Sequence, residues 1–360
     1  MQLGRICATA IAATTLFAAG CGDDDDAPTD AAPDPGGELA AIKTYLTGHS
    51  ADLAAQTEIL KQQGERYYEL AETADFDYKA LLRVDGGEVQ EILDTSKEAF
   101  RVANPSYEEM EGIVAGVPRL AQYDVDIDAG ADASDPENAV SFSLELPDGE
   151  VLKQPGNMFF VIETSLYGTN PELLADASQD VDGDGREEFG EGLPDAGIYV
   201  AAVRKFDELA DSLDTDARAF EPTESDAFTA ITVMTPTMSE YFEAWKNSRF
   251  IAGEDASELG FVAASRLSDI ADILEGIVFT YEEVEPQIAE ESRQQAEQTG
   301  TALRDLLAYV EEIRDREGAG EEFNAEQADT LGSEAQRQAE AIAGQVAQAA
   351  QRLGIELQET

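Results

Sequence analysis

Residues 261–288 read FVAASRLSDIADILEGIVFTYEEVEPQI, and they carry the clearest structural pattern in the chain. Apolar residues recur there at intervals of three and four, which is the period of an α-helix. They form one stripe: Leu267, Ile270, Leu274, Ile277, Tyr281, Val284 and Ile288. Because such a stripe must be buried against other elements, the pattern predicts a long amphipathic helix inside a helical bundle.

The same period recurs on both sides of this stretch. Further helices are predicted at residues 38–70, 89–103, 196–213, 225–250, 302–313 and 324–353. Pro236 should break or kink the helix that contains it, and Asn104-Pro105 should end the helix before it. Ser106 followed by Glu109 is typical of a capping box at the start of a new helix.

Two segments lack the helical period. Residues 124–137 are acidic and contain Gly and Pro, which predicts a loop. Residues 139–153 alternate apolar and polar residues around a Pro-Asp-Gly turn, which predicts a short hairpin. The chain is therefore expected to be all-α, with tandem four-helix bundles over residues 38–360 and approximate halves at 38–195 and 196–360.

The N-terminus has the pattern of an export signal. Arg5 precedes a short apolar stretch, and small residues lead up to Cys21, as in a bacterial lipoprotein. Residues 1–20 are thus expected to be a signal peptide, and Cys21 the lipidated residue that anchors the protein to the cell envelope. Residues 21–37 are acidic, rich in Pro and Ala, and lack an apolar face, which predicts a disordered linker.

Composition excludes several functions. The formal net charge is −53, which repels nucleic acid and attracts cations. Adaptation to high salt, or a generally acidic proteome, explains this charge better than a specific role does. The chain has one His and two Cys, which argues against catalytic Ser-His-Asp or Cys-His sets and against Cys/His zinc sites.

A first candidate site matches the pattern D-x-D-x-D-G-x5-E of a calcium loop. Alternating acids place oxygens on one side of a tight turn, and the last acid binds with both oxygens. The predicted ligands, with Arg186 contributing its carbonyl, are Asp180, Asp182, Asp184, Arg186, Glu188 and Glu191. An acidic loop without a bound ion is the alternative.

A second candidate is Glu163, which lies in the apolar run Phe159 to Gly168. A carboxylate on such a helix is desolvated unless it is paired or bound to a metal. From the residues alone, a half-buried Glu bonded to a neighbouring Arg or Tyr is the favoured interpretation.

The residues around Glu163 resemble the imelysin/EfeO-like family, whose hallmark is G-x-H-x-x-E. The upstream segment from Tyr107 to Glu111 is similar to the Y-E-x-x-E stretch of that family, and the C-terminal third is similar to its last helices. In this chain Met158 replaces the hallmark Gly and Phe160 replaces the His. The resemblance implies an exported helical protein with a metal site drawn from Glu163, Glu108 and Glu111. Such a site offers only carboxylate oxygens, which favour iron or another hard cation.

The resemblance further implies periplasmic metal binding and a role in iron uptake, with a membrane transporter as a candidate partner. The first hypothesis is a non-catalytic envelope lipoprotein that binds cations and contains a structural calcium loop. The alternative is a module that binds a polysaccharide or a partner protein and has no working metal site. A metallopeptidase ranks last, because the residues that remain supply no activated nucleophile or general base.

Overall fold

The computed structural model describes residues 35–130, 140–176 and 189–358. Helices account for most of these residues, which confirms the predicted all-α class. The helices are α1 Pro35–Thr73, α2 Tyr78–Val114, α3 Ala121–Asp124, α4 Met158–Tyr167, α5 Ala196–Ala219, α6 Glu224–Met234, α7 Met238–Asn247, α8 Arg249–Ala252, α9 Arg266–Gly318 and α10 Ala325–Leu353. The strands are β1 Ser143–Glu145 and β2 Val151–Lys153.

The long helices form two packed groups. In the first group α1 lies against α2 and α5, and α4 packs on α5. In the second group α10 packs on α6, α7 and α9. Contacts of α2 and α1 with α9 join the groups, so the helices of both groups share one continuous core. The stripe of α9 that predicted the bundle is buried along its whole length.

Helix α2 differs from the sequence prediction. It continues through Pro105 to Val114, and Ser106 lies inside the helix, where its hydroxyl donates to the carbonyl of Val102 at 2.8 Å. The predicted helix end and the capping box were therefore wrong. Phe100 and Tyr107 on either side of the proline are fully buried, and this packing outweighs the local cost of Pro in a helix.

Helix α9 likewise joins two segments that were predicted as separate helices. It passes through Pro286 and changes direction at Ser292, whose φ of −156° and ψ of 94° are not helical. The break at Pro236 is confirmed, because a 3₁₀ turn at Thr235–Thr237 separates α6 from α7. The last predicted helix is confirmed as α10, which begins with a capping box at Asn324.

The predicted hairpin is also confirmed, since β1 pairs antiparallel with β2 and Leu144 lies opposite Leu152. It leads into α4, which begins where the Asn157 side chain accepts a hydrogen bond from the Phe160 amide at 2.7 Å. Helix α4 ends at Gly168, whose φ is +71°. A Cβ at Gly192 would lie 2.2 Å from the Gly168 Cα, so this close approach requires glycine.

The export and lipidation predictions concern residues 1–34, including Cys21, which lie outside the described residues. The first helix begins at Pro35, so the last three residues assigned to the linker belong to α1. Within the described ranges, no helix combines the length and the apolar character needed to cross a membrane.

Candidate metal centre

Two carboxylates of α2 point toward α9. Glu108 and Glu111 are three residues apart, and their residues are 0% and 2% exposed. Asn104 donates to Glu108 Oε1 at 2.9 Å, and the Tyr241 hydroxyl donates to Glu111 Oε1 at 2.8 Å. The second oxygen of each carboxylate, Oε2, is buried and has no hydrogen-bond partner among the described residues.

Asp128 completes a group of three acids. It lies in a π-helical turn, Val125–Ala129, which follows α3 and turns Asp126 and Asp128 into the interior. One oxygen from each of Glu108, Glu111 and Asp128 lies within 4.8 Å of the other two, which is compatible with shared binding of one ion. Asp126 takes no part, because its carboxylate accepts from the amide and hydroxyl of Ser141.

The first turn of α9 brings a base and a fourth acid. Arg266 is 4% exposed and lies 3.6 Å from Glu108, 3.5 Å from Asp128 and 3.3 Å from Asp269, measured between nitrogen and oxygen atoms. Its guanidinium lies 4.6 Å from the ring centre of Tyr241 and 4.4 Å from that of Phe261. We refer to Glu108, Glu111, Asp128 and Asp269 as the acid cluster.

Within the described residues, Arg266 is the base that pairs with the acid cluster. Four buried carboxyl groups share one guanidinium, and burial raises the pKa of Glu108, Glu111 and Asp269 above their ordinary values. The negative charge of Asp128 raises all three further, whereas Arg266 lowers them. Either protons or a bound cation can neutralise such a group.

Glu163 has a different environment from Glu108 and Glu111. Its Oε2 accepts from the Phe261 amide at 2.7 Å, and its Oε1 accepts from the amides of Val262 and Ala263 at 2.8 and 2.7 Å. Burial raises its pKa to about 7, although these three donors lower it. The carboxylate thus holds the segment before α9 against α4.

Of the three residues predicted for the family-type site, Glu108 and Glu111 come together. Glu163 is attached to backbone amides instead, although it shares a cavity with Asp128 and Asp269. Phe160, which stands where the family has histidine, lines the same cavity. The single histidine, His49, lies apart and pairs with Glu109 at 2.9 Å.

Sequence reasoning did not identify Asp128, Asp269 or Arg266. Asp128 belonged to a segment predicted as an acidic loop. Arg266 and Asp269 are three residues apart at the start of the most regular apolar helix of the chain. This pair of opposite charges on an otherwise apolar helix could have identified both residues as part of a site.

Most of the predicted calcium loop lies outside the residues that the structure describes. Asp180, Asp182, Asp184, Arg186 and Glu188 lie outside the described residues. Glu191 lies in the segment before α5. Burial lowers the pKa of the nearby Lys97 ammonium group, and the negative charge of Glu191 partly opposes this effect. The calcium loop stays a prediction.

Comparison with known proteins adds a family assignment. The sequence profile of the imelysin family matches residues 41–351. No curated protein matches the chain at a significant level. The matched range includes the acid cluster, Arg266 and Glu163, and it covers most of the 360 residues. The chain therefore belongs to the imelysin family.

Proposed function

We propose that this protein binds a hard cation at Glu108, Glu111 and Asp128. The observation that carries the proposal is the pair of buried Oε2 atoms of Glu108 and Glu111, which have no hydrogen-bond partner among the described residues. The Oε2 of Glu108 faces the Arg266 guanidinium at 3.6 Å, whereas that of Glu111 makes no such ion pair within the described ranges. A buried carboxylate oxygen without a partner costs about 1–3 kcal/mol or more. A cation between the three acids would remove this cost by binding those oxygens directly.

The donor set defines the class of cation. Carboxylate oxygens favour hard ions such as calcium, magnesium, manganese and ferric iron over soft ions. Asn104 and Tyr241 orient the Glu108 and Glu111 carboxylates through their other oxygens, which is the usual role of groups around metal ligands.

The cellular role is proposed to be cation binding on the bacterial cell envelope, as a lipoprotein anchored through Cys21 and taking part in iron uptake. The signal pattern at residues 1–20 and the family support this role. The protein is proposed to be non-catalytic, although the family also carries a peptidase name. In support of this proposal, the His49 imidazole pairs with Glu109 rather than with a member of the acid cluster, where it could have acted as a general base.

A second candidate function is a polysaccharide- or protein-binding module on the envelope. The observation in its favour is the role of Glu163, whose three backbone partners make it a structural residue. The absence of cation binding in the following experiment would favour this function.

Glu111→Gln is expected to weaken cation binding at least about tenfold, because the amide replaces one charged ligand oxygen. Calorimetric titration of the purified protein with Mn²⁺ and Ca²⁺ measures the effect. Glu98→Gln is the matched control, since Glu98 lies on the same helix with 74% of its side chain exposed. Asp182→Ala distinguishes the predicted calcium loop from the acid cluster. Calcium binding that is lost in this variant but kept in Glu111→Gln takes place at the loop. Equal binding by wild type and Glu111→Gln would reject the proposed site.

Acidification is expected to weaken cation binding. Burial is the main cause that raises the pKa of Glu108 well above 4.5 and raises the pKa of Glu111 above 4.5, so both groups bind protons more readily than exposed glutamates. A cation must displace the protons, and its affinity therefore falls as the pH is lowered toward 4.5. Titration in buffers of different ionisation enthalpy should show proton release on binding. Unchanged affinity between about pH 8 and about pH 5, without proton release, would contradict the prediction.

A further inference from the structure

A cavity of about 300 Å³ lies between α4, the segment before α9 and the first turn of α9. Its walls combine two kinds of side chain. Three of the aromatic residues that line it are Phe100, Phe160 and Phe261, and three of the acids are Asp128, Glu258 and Asp269. A volume of this size would hold about ten water molecules in the liquid, which is far more than one metal ion needs.

One carboxylate at this cavity has an oxygen without a hydrogen-bond partner among the described residues. Asp269 is 2% exposed, and its Oδ2 lies 3.3 Å from the Arg266 guanidinium. Its Oδ1 is buried and has no hydrogen-bond partner. By contrast, Glu163 is satisfied by three amides, and Glu258 accepts from the Gly260 amide at 3.2 Å. The Asp269 Oδ1 is therefore the acceptor that a ligand in the cavity would use.

Arg266 shows that the same surroundings accept an organic cation. Its guanidinium is held by Asp128 and Asp269 on its edge and by the Phe261 ring on its face. Carboxylates combined with aromatic faces bind ammonium and guanidinium groups, through charge and through cation–π attraction. A bare metal ion would make no use of the phenylalanine walls.

We propose that this cavity binds a small organic cation, a primary alkylamine or guanidine about the size of a four- or five-carbon diamine. Its charged group donates to Asp269 Oδ1, and its aliphatic chain lies along Phe100 and Phe160. The high net negative charge of the protein raises the local concentration of such ligands. The cavity shares Asp128 with the proposed metal centre, but the aromatic walls belong to this site alone.

The test is calorimetric titration of the purified protein with 1,4-diaminobutane and agmatine in about 0.3 M salt, where loose surface binding is screened. We expect one ligand per chain and no binding of the neutral isostere 1,4-butanediol. Equal binding of the diol, or only multiple weak sites abolished by salt, would overturn the proposal.

Three variants locate the binding site. Asp269→Asn should abolish binding, but the change also removes an ion-pair partner of Arg266. Phe160→Ala leaves every acid in place and should weaken binding about tenfold, because the aliphatic chain of the ligand loses an apolar surface against which it is buried. Phe250→Ala is its control, because Phe250 is exposed and lies outside the cavity. Wild-type affinity in Phe160→Ala would also overturn the proposal.

Gly260→Ala narrows the cavity without a clash. The added methyl group would lie 3.4 Å from Glu163 Oε2 and 3.7 Å from the Phe160 ring, both ordinary contacts. This variant should bind the diamine more weakly than wild type, and unchanged affinity would place the ligand elsewhere. Titration of Phe160→Ala with Mn²⁺ should match wild type, so failure of this proposal is distinguishable from failure of the metal centre.

Discussion

Arg266→Gln is expected to lower the free energy of unfolding by about 3–5 kcal/mol at about pH 8. The guanidinium is the cation that lies among Glu108, Asp128 and Asp269, and its removal leaves these buried acids without a counter-charge. Glutamine keeps hydrogen-bonding capacity but carries no charge. Urea unfolding followed by circular dichroism measures the loss.

Two further measurements test the electrostatic explanation. Without Arg266 the acids hold protons more tightly in the folded state, so the stability deficit should shrink as the pH is lowered toward 5. A divalent cation should restore more stability to Arg266→Gln than to wild type, because it replaces the missing charge. Arg304→Gln is the matched control. Arg304 pairs with Glu282 at 3.0 Å on the surface and should cost less than about 1 kcal/mol. A deficit that is independent of both pH and cation would contradict this explanation.

Gly276→Ala is expected to destabilise the protein by about 3 kcal/mol, because it enlarges a residue where two helices touch. A Cβ on Gly276 would lie 2.1 Å from the carbonyl oxygen of Glu109, so α9 and α2 must separate. This crossing lies beside Glu108 and Glu111. The variant should therefore also bind Mn²⁺ more weakly, which calorimetry would detect alongside the unfolding measurement.

Gly344→Ala is the control for this substitution. Gly344 lies in the exposed face of α10, and a Cβ there would meet nothing within 4 Å. Alanine should stabilise this helix by about 1 kcal/mol through its higher helix propensity. If Gly276→Ala were as stable as Gly344→Ala, this result would contradict the close contact between α2 and α9 at Gly276.

The sequence predicted the helices where an apolar stripe is long and regular. The stripes of α9 and α10 indicated buried faces directly, and the turn after Leu146 indicated the hairpin. The continuity of α2 through Pro105 was missed, because local rules place a helix end there. The burial of Phe100 and Tyr107 decided otherwise, and this packing becomes visible only in the tertiary structure.

Only part of the site was predicted, because its other members come together only in the tertiary structure. Glu108 and Glu111 share a helix face, so their spacing alone brings them together. Asp128 reaches them through a π-helical turn, for which the sequence carries no known signature. The partners of Glu163 are backbone amides of residues 261–263, and every residue except proline offers such a donor. No side-chain pattern could therefore identify them.

The contacts around Arg266 join segments that are synthesised far apart. Arg266 follows Asp128 by 138 residues, and the amides that hold Glu163 follow it by 98 to 100 residues. Contacts of such high sequence separation form late and slow the folding of a domain. The acids of α2 thus precede in the chain the guanidinium that pairs with them. A polypeptide truncated before residue 266 would leave Glu108 and Asp128 without their cationic partner, and we expect α1, α2 and α5 to pack stably only once α9 is present.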